Sequence, residues 1–230
     1  MMMDYSPLLI SVKTSCLATV IAFFTGIYAA YIVVRLKHFQ GILDAILTLP
    51  LVLPPTVVGF ILLIAFGKNS PIGQIMMSFG YSLVFSWEAT VLAAVVVAFP
   101  LMYRTTRGAF EQLDENIIYA AKTLGVSDWK IFWHIILPNT KHSLIAGVIL
   151  AFTRALGEFG ATIMVAGNIP GITQTISTAI YSAVQAGDNN AAFFWVGIIV
   201  AISFVVIVLM NLWLKNNGRY AMKSSAGNGV

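Results

Sequence analysis

Arg154 and Glu158 are the residues of this chain whose types and setting most invite a chemical role. They stand four apart in the apolar run FTRALGEFGATIMVAGNIPG, residues 152–171. On a helix that spacing puts them on one face, close enough to pair. A charge at mid-membrane costs roughly 2.5 kcal/mol or more, so such residues turn toward protein or a water-filled cavity. Two chemistries follow. Arg154 could be an anion ligand on a path through the membrane, or the pair could be a mutually neutralised lock between helices. Glu158 would cancel the attraction for an anion, which favours the lock. Gly157, Gly160 and Ala161 beside them permit close helix approach.

No other constellation reads as catalytic or ligating. There is no G-x-x-x-x-G-K-[ST] loop, so the chain cannot bind ATP in that way, and any energy must come from another subunit. Neither H-E-x-x-H, G-x-S-x-G nor a cysteine pair occurs. His38, His134 and His142 lack ligand spacing and read as interfacial or solvated residues. No catalysis, cofactor or metal site is expected. Cys16 is the single cysteine and lies in an apolar run, where packing is its expected role.

The elements that must position Arg154 and Glu158 are membrane spans. Of 230 residues, 59% are hydrophobic and only 10% charged; a soluble domain would carry about a quarter charged residues. Five apolar segments, 9–34, 43–66, 84–103, 143–166 and 193–214, approach the roughly twenty residues that a bilayer crossing needs. The expected class is therefore an all-α membrane protein of about five transmembrane helices. The first is an uncleaved span, since no basic region precedes it.

Basic residues set the orientation. Ten of the thirteen Lys and Arg residues fall at or beyond one set of span ends: Arg35, Lys37, Arg104, Arg107, Lys122, Lys130, Lys141, Lys215, Arg219 and Lys223. Lys13 and Lys68 lie on the other side, and Arg154 within a span. The positive-inside rule then puts the N-terminus out and the C-terminus in. Net charge is +4, but in a membrane chain its placement matters more than its sum, and nucleic acid is not an expected partner. Arg104 and Arg107 read as topology anchors, and Glu88 as a solvated helix end.

In the second span, LPLVLPPTVVG carries Pro50, Pro54 and Pro55. Each removes a backbone donor, so the helix is expected to kink or begin late. A kinked packing helix and a bent helix lining a path are equally open. Between the last two spans, Thr175–Gln185 has amphipathic helical character, with Ile176, Ala179, Ile180 and Val184 on one face. It reads as an interfacial helix meeting an external partner, or as a simple cap.

The one long polar stretch, DENIIYAAKTLGVSDWKIFWHIILP at 114–138, holds three acids, two lysines and a histidine. Asp114 can cap a first turn. Leu113, Ile117, Ala120, Ala121 and Leu124 share a face at helical spacing. Gly125 is a natural stop, Ser127 and Asp128 a restart over Trp129–Ile136, and Pro138 an end.

Its spacing, Ala120-Ala121, three residues, Gly125, nine residues, Ile135, one residue, Leu137-Pro138, resembles the EAA-loop signature of permease subunits of binding-protein-dependent ABC importers. Tyr119 stands where that signature has Glu. LPLVLPPTVVG, RALGEFGAT and NIPG look like the molybdate branch, shared in part with sulfate and tungstate permeases. The resemblance implies a type I ABC importer permease fold in the bacterial inner membrane, with a transmembrane domain over 8–214. A coupling loop would occupy 111–138 and a disordered cytoplasmic tail 215–230. It further implies that Tyr119, Ala120, Ala121, Lys122, Thr123, Leu124 and Gly125 contact an ATPase. The implied partners are a second copy of the chain, an ATPase dimer, an extracytoplasmic oxyanion-binding protein and membrane lipid. The open alternatives are tungstate or sulfate as cargo or, in another class, a stand-alone channel or a membrane interaction protein.

Overall fold

The computed structural model describes residues 4–36 and 38–226, and in the last helix the side chains up to 210 and that of 212. The chain order is α1 (Ser6–Arg35), α2 (Gln40–Val52), α3 (Pro55–Phe66), α4 (Pro71–Ser78), α5 (Trp87–Glu111), α6 (Glu115–Thr123) and α7 (Asp128–Ile131). A π turn (Phe132–Ile136) then leads to α8 (Leu137–Leu156), α9 (Gly160–Val165), α10 (Ile176–Gln185) and α11 (Asn189–Ala226). Among the described residues four helical stretches are long and apolar enough to cross a bilayer alone: α1, α5, Asp128–Leu156 and Asn189–Met210. A fifth candidate is the pair α2 and α3, bent by 109° at its break.

Small residues bring the helices together. Ala18, Ala22 and Ala30 of α1 are buried with Ala94 and Ala98 of α5 in one cluster, and close backbone approach of this kind is how helices associate in lipid. Met102 and Tyr103, both fully buried, fill the same cluster with Leu144 and Ala151 of α8. A second cluster joins Val58 and Leu62 of α3 to Ala89, Ala93 and Val97 of α5 and Ala161 and Val165 of α9. The opposite face of α1, with Phe24 and Tyr28, stays open. Cys16 is on that open side, so it does not pack inside as expected.

The structure revises several sequence expectations. The second span is broken rather than kinked, because Leu53 and Pro54 are extended between two helices and Pro54-Pro55 supply no backbone donors to carry the ladder across. The fourth expected span, 143–166, breaks at Gly157–Phe159. Pro138 does not end its helix. Helical backbone runs on from Asp128 to Leu156 because the π turn ahead of the proline widens the ladder, with Leu137 N–H donating to the Phe132 carbonyl. Asn139 Nδ2 and Thr140 Oγ1 donate to the Ile135 and Ile136 carbonyls at 2.7 and 2.9 Å, covering acceptors near the proline. Finally, α11 continues to Ala226, so most of the tail expected to be disordered is helical.

The helix α10, expected to be interfacial or a simple cap, is anchored to α1. Thr175 and Thr178 form a reciprocal capping box, and Ile176 N–H donates to Ser11 Oγ of α1 at 2.8 Å. Ile176 and Ala179 are buried, whereas Val184 of the expected apolar face is exposed.

Candidate functional site

The polar stretch folds into two helical arms around one sharp corner. Asp114 Oδ1 accepts from Asn116 N–H at 2.9 Å, capping α6, and Glu115 sits in the first turn, where the helix dipole favours an acid. At the other end Gly125 N–H donates to the Lys122 carbonyl at 2.9 Å and Val126 N–H to the Ala121 carbonyl at 3.1 Å. Those two bonds form a Schellman ending, which needs a residue at positive φ; Gly125 has φ +74°. The chain then turns into α7 at Ser127.

One side of this corner is glued to the helix bundle. Ala121 and Ile131 are buried in the α1–α5–α8 cluster, with Leu113, Ile118 and Val126 packed against it. The other side is open: Ile117 is 49%, Tyr119 58% and Leu124 82% exposed. The face expected from spacing is therefore split. Leu113 and Ala121 point in; Ile117, Ala120 and Leu124 point out. Of the seven residues expected to meet an ATPase, Ala121 is turned into the protein's own core. Tyr119, Ala120, Thr123, Leu124 and Gly125 lie on the open side. Lys122 is also exposed but reaches Asp128 across the corner at 3.4 Å, a carboxylate it shares with Arg35 at 3.7 Å. Being half-exposed, these ion pairs contribute under about 1 kcal/mol each. Sequence spacing missed Ile118, Val126 and Ile131 as anchors, because the inward stripe crosses the glycine corner rather than following one helix.

Deeper in the bundle, Arg154 and Glu158 do meet, though not on one helix. Arg154 is in the last turn of α8, and Glu158 lies in the break that follows. Arg154 Nη1 is 2.5 Å from Glu158 Oε2. Glu158 Oε1 accepts from Ala161 N–H at 2.7 Å, so the same carboxylate ties the end of α8 to the start of α9. Its side chain is 2% exposed while that of Arg154 is 30% exposed. The carboxylate therefore bridges two helices across the break.

That break abuts the other one. Gly160 faces Pro55 and Gly59 faces Ala161, so α9 and α3 cross with backbones in contact at both helix discontinuities. On the basic side, Arg107 of α5 pairs with Asp44 of α2, while its Nε donates to Glu111 Oε1 at 2.7 Å. Tyr103 Oη donates to Asp44 Oδ1 at 3.1 Å. Arg107 is thus more than the topology anchor its position suggested: it fastens α2, which has no buried residue of its own, to α5. The signal in the sequence was Asp44, an acid near the start of an apolar run.

A family profile described as "Binding-protein-dependent transport system inner membrane component" matches residues 22–217. The chain is 43% identical over 222 residues to the molybdenum transport system permease protein ModB of Escherichia coli (strain K12), covering 94% of this chain and 95% of that one. YvgM of Bacillus subtilis (strain 168), provisionally named a molybdenum transport system permease protein, is 47% identical over 205 residues, 88% of this chain and 90% of the relative. The sulfate transport system permease protein CysW of Synechococcus elongatus is 33% identical over 84% of this chain and 68% of its own. Among solved structures, a chain of the inward-facing MetNI methionine ABC transporter superposes with a TM-score of 0.72 at 12% identity, covering 91% of this chain and 94% of that one. A chain of a bacterial alginate-importing ABC transporter gives 0.74 at 14%, covering 92% and 78%. At such identities the structural likeness shows the fold, that of an ABC importer permease.

Proposed function

The chain belongs to the family of binding-protein-dependent transport system inner membrane components, and from that premise we propose that it is the transmembrane permease subunit of an ATP-driven molybdate importer. The observation that carries the cargo is the near full-length likeness to the molybdenum permeases just described. Sulfate is the second reading, since a sulfate permease is also similar, at lower identity and over less of its length. Both are tetrahedral dianions.

In this reading the chain performs no catalysis. Two copies form the pathway, with the N-terminus outside and the corner at Gly125 in the cytoplasm. An ATPase dimer receives the exposed side of that corner through Tyr119, Ala120, Thr123, Leu124 and Gly125. An extracytoplasmic binding protein delivers the oxyanion. The physical basis for coupling is that the corner is rigid and anchored: Ala121 and Ile131 are embedded in the same cluster as α1, α5 and α8. Force applied at Leu124 is therefore passed to those spans rather than absorbed in a loose loop. The protein then acts as a two-state element whose equilibrium is biased by each partner.

The test is co-purification with the ATPase, followed by radiolabelled molybdate uptake in vesicles with sulfate as competitor. Uptake that needs both ATP and the ATPase, and that molybdate outcompetes sulfate for, is the expected result. Ion conduction by the chain alone would establish the channel instead, and sulfate preference would overturn the cargo.

A further inference from the structure

A groove of about 530 Å³ runs between the basic end of α1 and the π turn. Phe24, Tyr28, Tyr31, Trp129, Trp133 and Leu137 contribute to a lining made wholly of apolar and aromatic side chains. It is open to the surroundings, with Phe24 65%, Tyr28 68%, Trp129 70% and Trp133 46% exposed. We propose that this groove binds an anionic phospholipid of the surrounding bilayer, with an acyl chain in the groove and the phosphate held at its mouth by Arg35 and Lys130.

Depth identifies the phase that the occupant comes from. Phe24 lies eleven residues before Arg35 on α1, roughly 16 Å along a helix. The floor is thus well inside the hydrocarbon, beyond the reach of a water-soluble partner. Trp and Tyr cluster where a span meets the headgroups, and this groove has both at its basic end.

Charge selects the headgroup. The Arg35 guanidinium lies over the Tyr31 ring, 3.8 Å from its centroid, so it is held at the rim of the groove. Arg35 and Lys122 both approach Asp128, at 3.7 and 3.4 Å. One carboxylate contacts two cations, so these three groups together carry a net positive charge beside the groove. Lys130 adds another: it is exposed, follows the lining Trp129 in sequence, and forms no ion pair among the described residues. Juxtamembrane cations of this kind attract anionic lipid, and a phosphate offers oxygens for charge-assisted hydrogen bonds from both side chains. A zwitterionic lipid or an uncharged helix would fill the groove but leave that charge unanswered.

The proposal rests on the helices spanning a membrane and not on the transport role. Its test uses the purified full-length chain, delipidated and offered equal amounts of phosphatidylglycerol and phosphatidylcholine, with bound lipid read by native mass spectrometry. Phosphatidylglycerol is expected to be retained in clear preference. Arg35→Gln with Lys130→Gln should weaken that retention about thirtyfold, as the loss of two such cations implies. Arg35→Lys should keep it, and Trp133→Ala should lower retention of both lipids.

Equal retention of the two lipids by the unaltered chain would overturn the proposal, whatever the variants do. So would unchanged preference in the folded double variant. Tyr28→Cys in a Cys16→Ser background that crosslinks efficiently to a second copy would assign the groove to a subunit interface instead. A chain that selects phosphatidylglycerol yet never captures an ATPase would keep the lipid site and overturn the transport reading.

Discussion

Gly160 lies against Pro55 where two interrupted helices cross. A Cβ on Gly160 would fall 2.8 Å from Pro55 Cβ and 3.2 Å from Thr56 N, and one on Gly59 would fall 2.7 Å from Ala161 Cα. Neither neighbour is a flexible side-chain tip. The break between α2 and α3 and the break between α8 and α9 are therefore one interlocked feature, and Glu158 holds its second half closed.

Gly59→Val and Gly160→Val should each cost about 1–3 kcal/mol, the usual penalty for forcing atoms into a packed interior. The readout is the melting temperature in detergent. Gly41→Ala is the control, since nothing stands within 4 Å of a Cβ there. Unchanged melting in both valine variants would mean the crossing is not tight.

Glu158→Ala should destabilise more than Glu158→Gln. Glutamine keeps an acceptor for Ala161 N–H, whereas alanine leaves both that amide and Arg154 without their partner. Breaking a fully buried pair costs about 3–5 kcal/mol, and here the loss should be smaller because water reaches Arg154 and screens it. Membrane yield and melting temperature decide the order. Full, equal yield of both variants with altered anion affinity would make Arg154 a ligand of the cargo.

Leu124→Ala and Ala121→Leu should fail in opposite ways. Leu124 is 82% exposed, so its truncation should leave stability nearly unchanged and reduce ATPase co-purification. Ala121 is 8% exposed, so enlarging it should lower the melting temperature by overpacking. Gly125→Asp should assemble in the membrane and weaken ATPase capture, since its surroundings are open and aspartate bears the strain of φ +74° better than most residues. Normal capture and uptake by both Leu124→Ala and Gly125→Asp would refute the docking surface.

Asp44→Ala should loosen α2 specifically. That helix buries none of its residues, and Asp44 is its link to Arg107 and Tyr103 of α5. Hydrogen exchange of the α2 amides should speed up several-fold, while α1 and α5 stay protected. Thr48→Ala, which removes only a bond to the helix's own backbone, is the comparison. Equal exchange in the wild type and in Asp44→Ala would show that α2 is held by other contacts.

Much of this protein is written locally. Apolar length gives the helices, because a bilayer demands that backbone groups be satisfied within each span. Asp114, Gly125 and Ser127 define the corner of the polar stretch, because caps and positive φ are requirements of single residues. The spacing from Ala120 to Pro138 points to the family, and Arg154 with Glu158 announces itself by charge alone.

What the sequence withheld are relations between segments far apart in the chain. Prolines at 50, 54 and 55 warn of a disturbed helix, but neither the 109° bend nor the seating of α9 against it is readable from their positions. Pro138 reads as a stop, yet a π turn lets the helix pass, a choice that packing against α1 and α5 allows. The periodic face through Leu113, Ile117 and Leu124 assumes a straight helix against a flat surface. In the folded chain the corner at Gly125 rotates the buried stripe onto Ile118, Ala121, Val126 and Ile131, which leaves Leu124 facing outward. Residue type sets which groups must be satisfied, and only the tertiary arrangement decides which neighbour satisfies them.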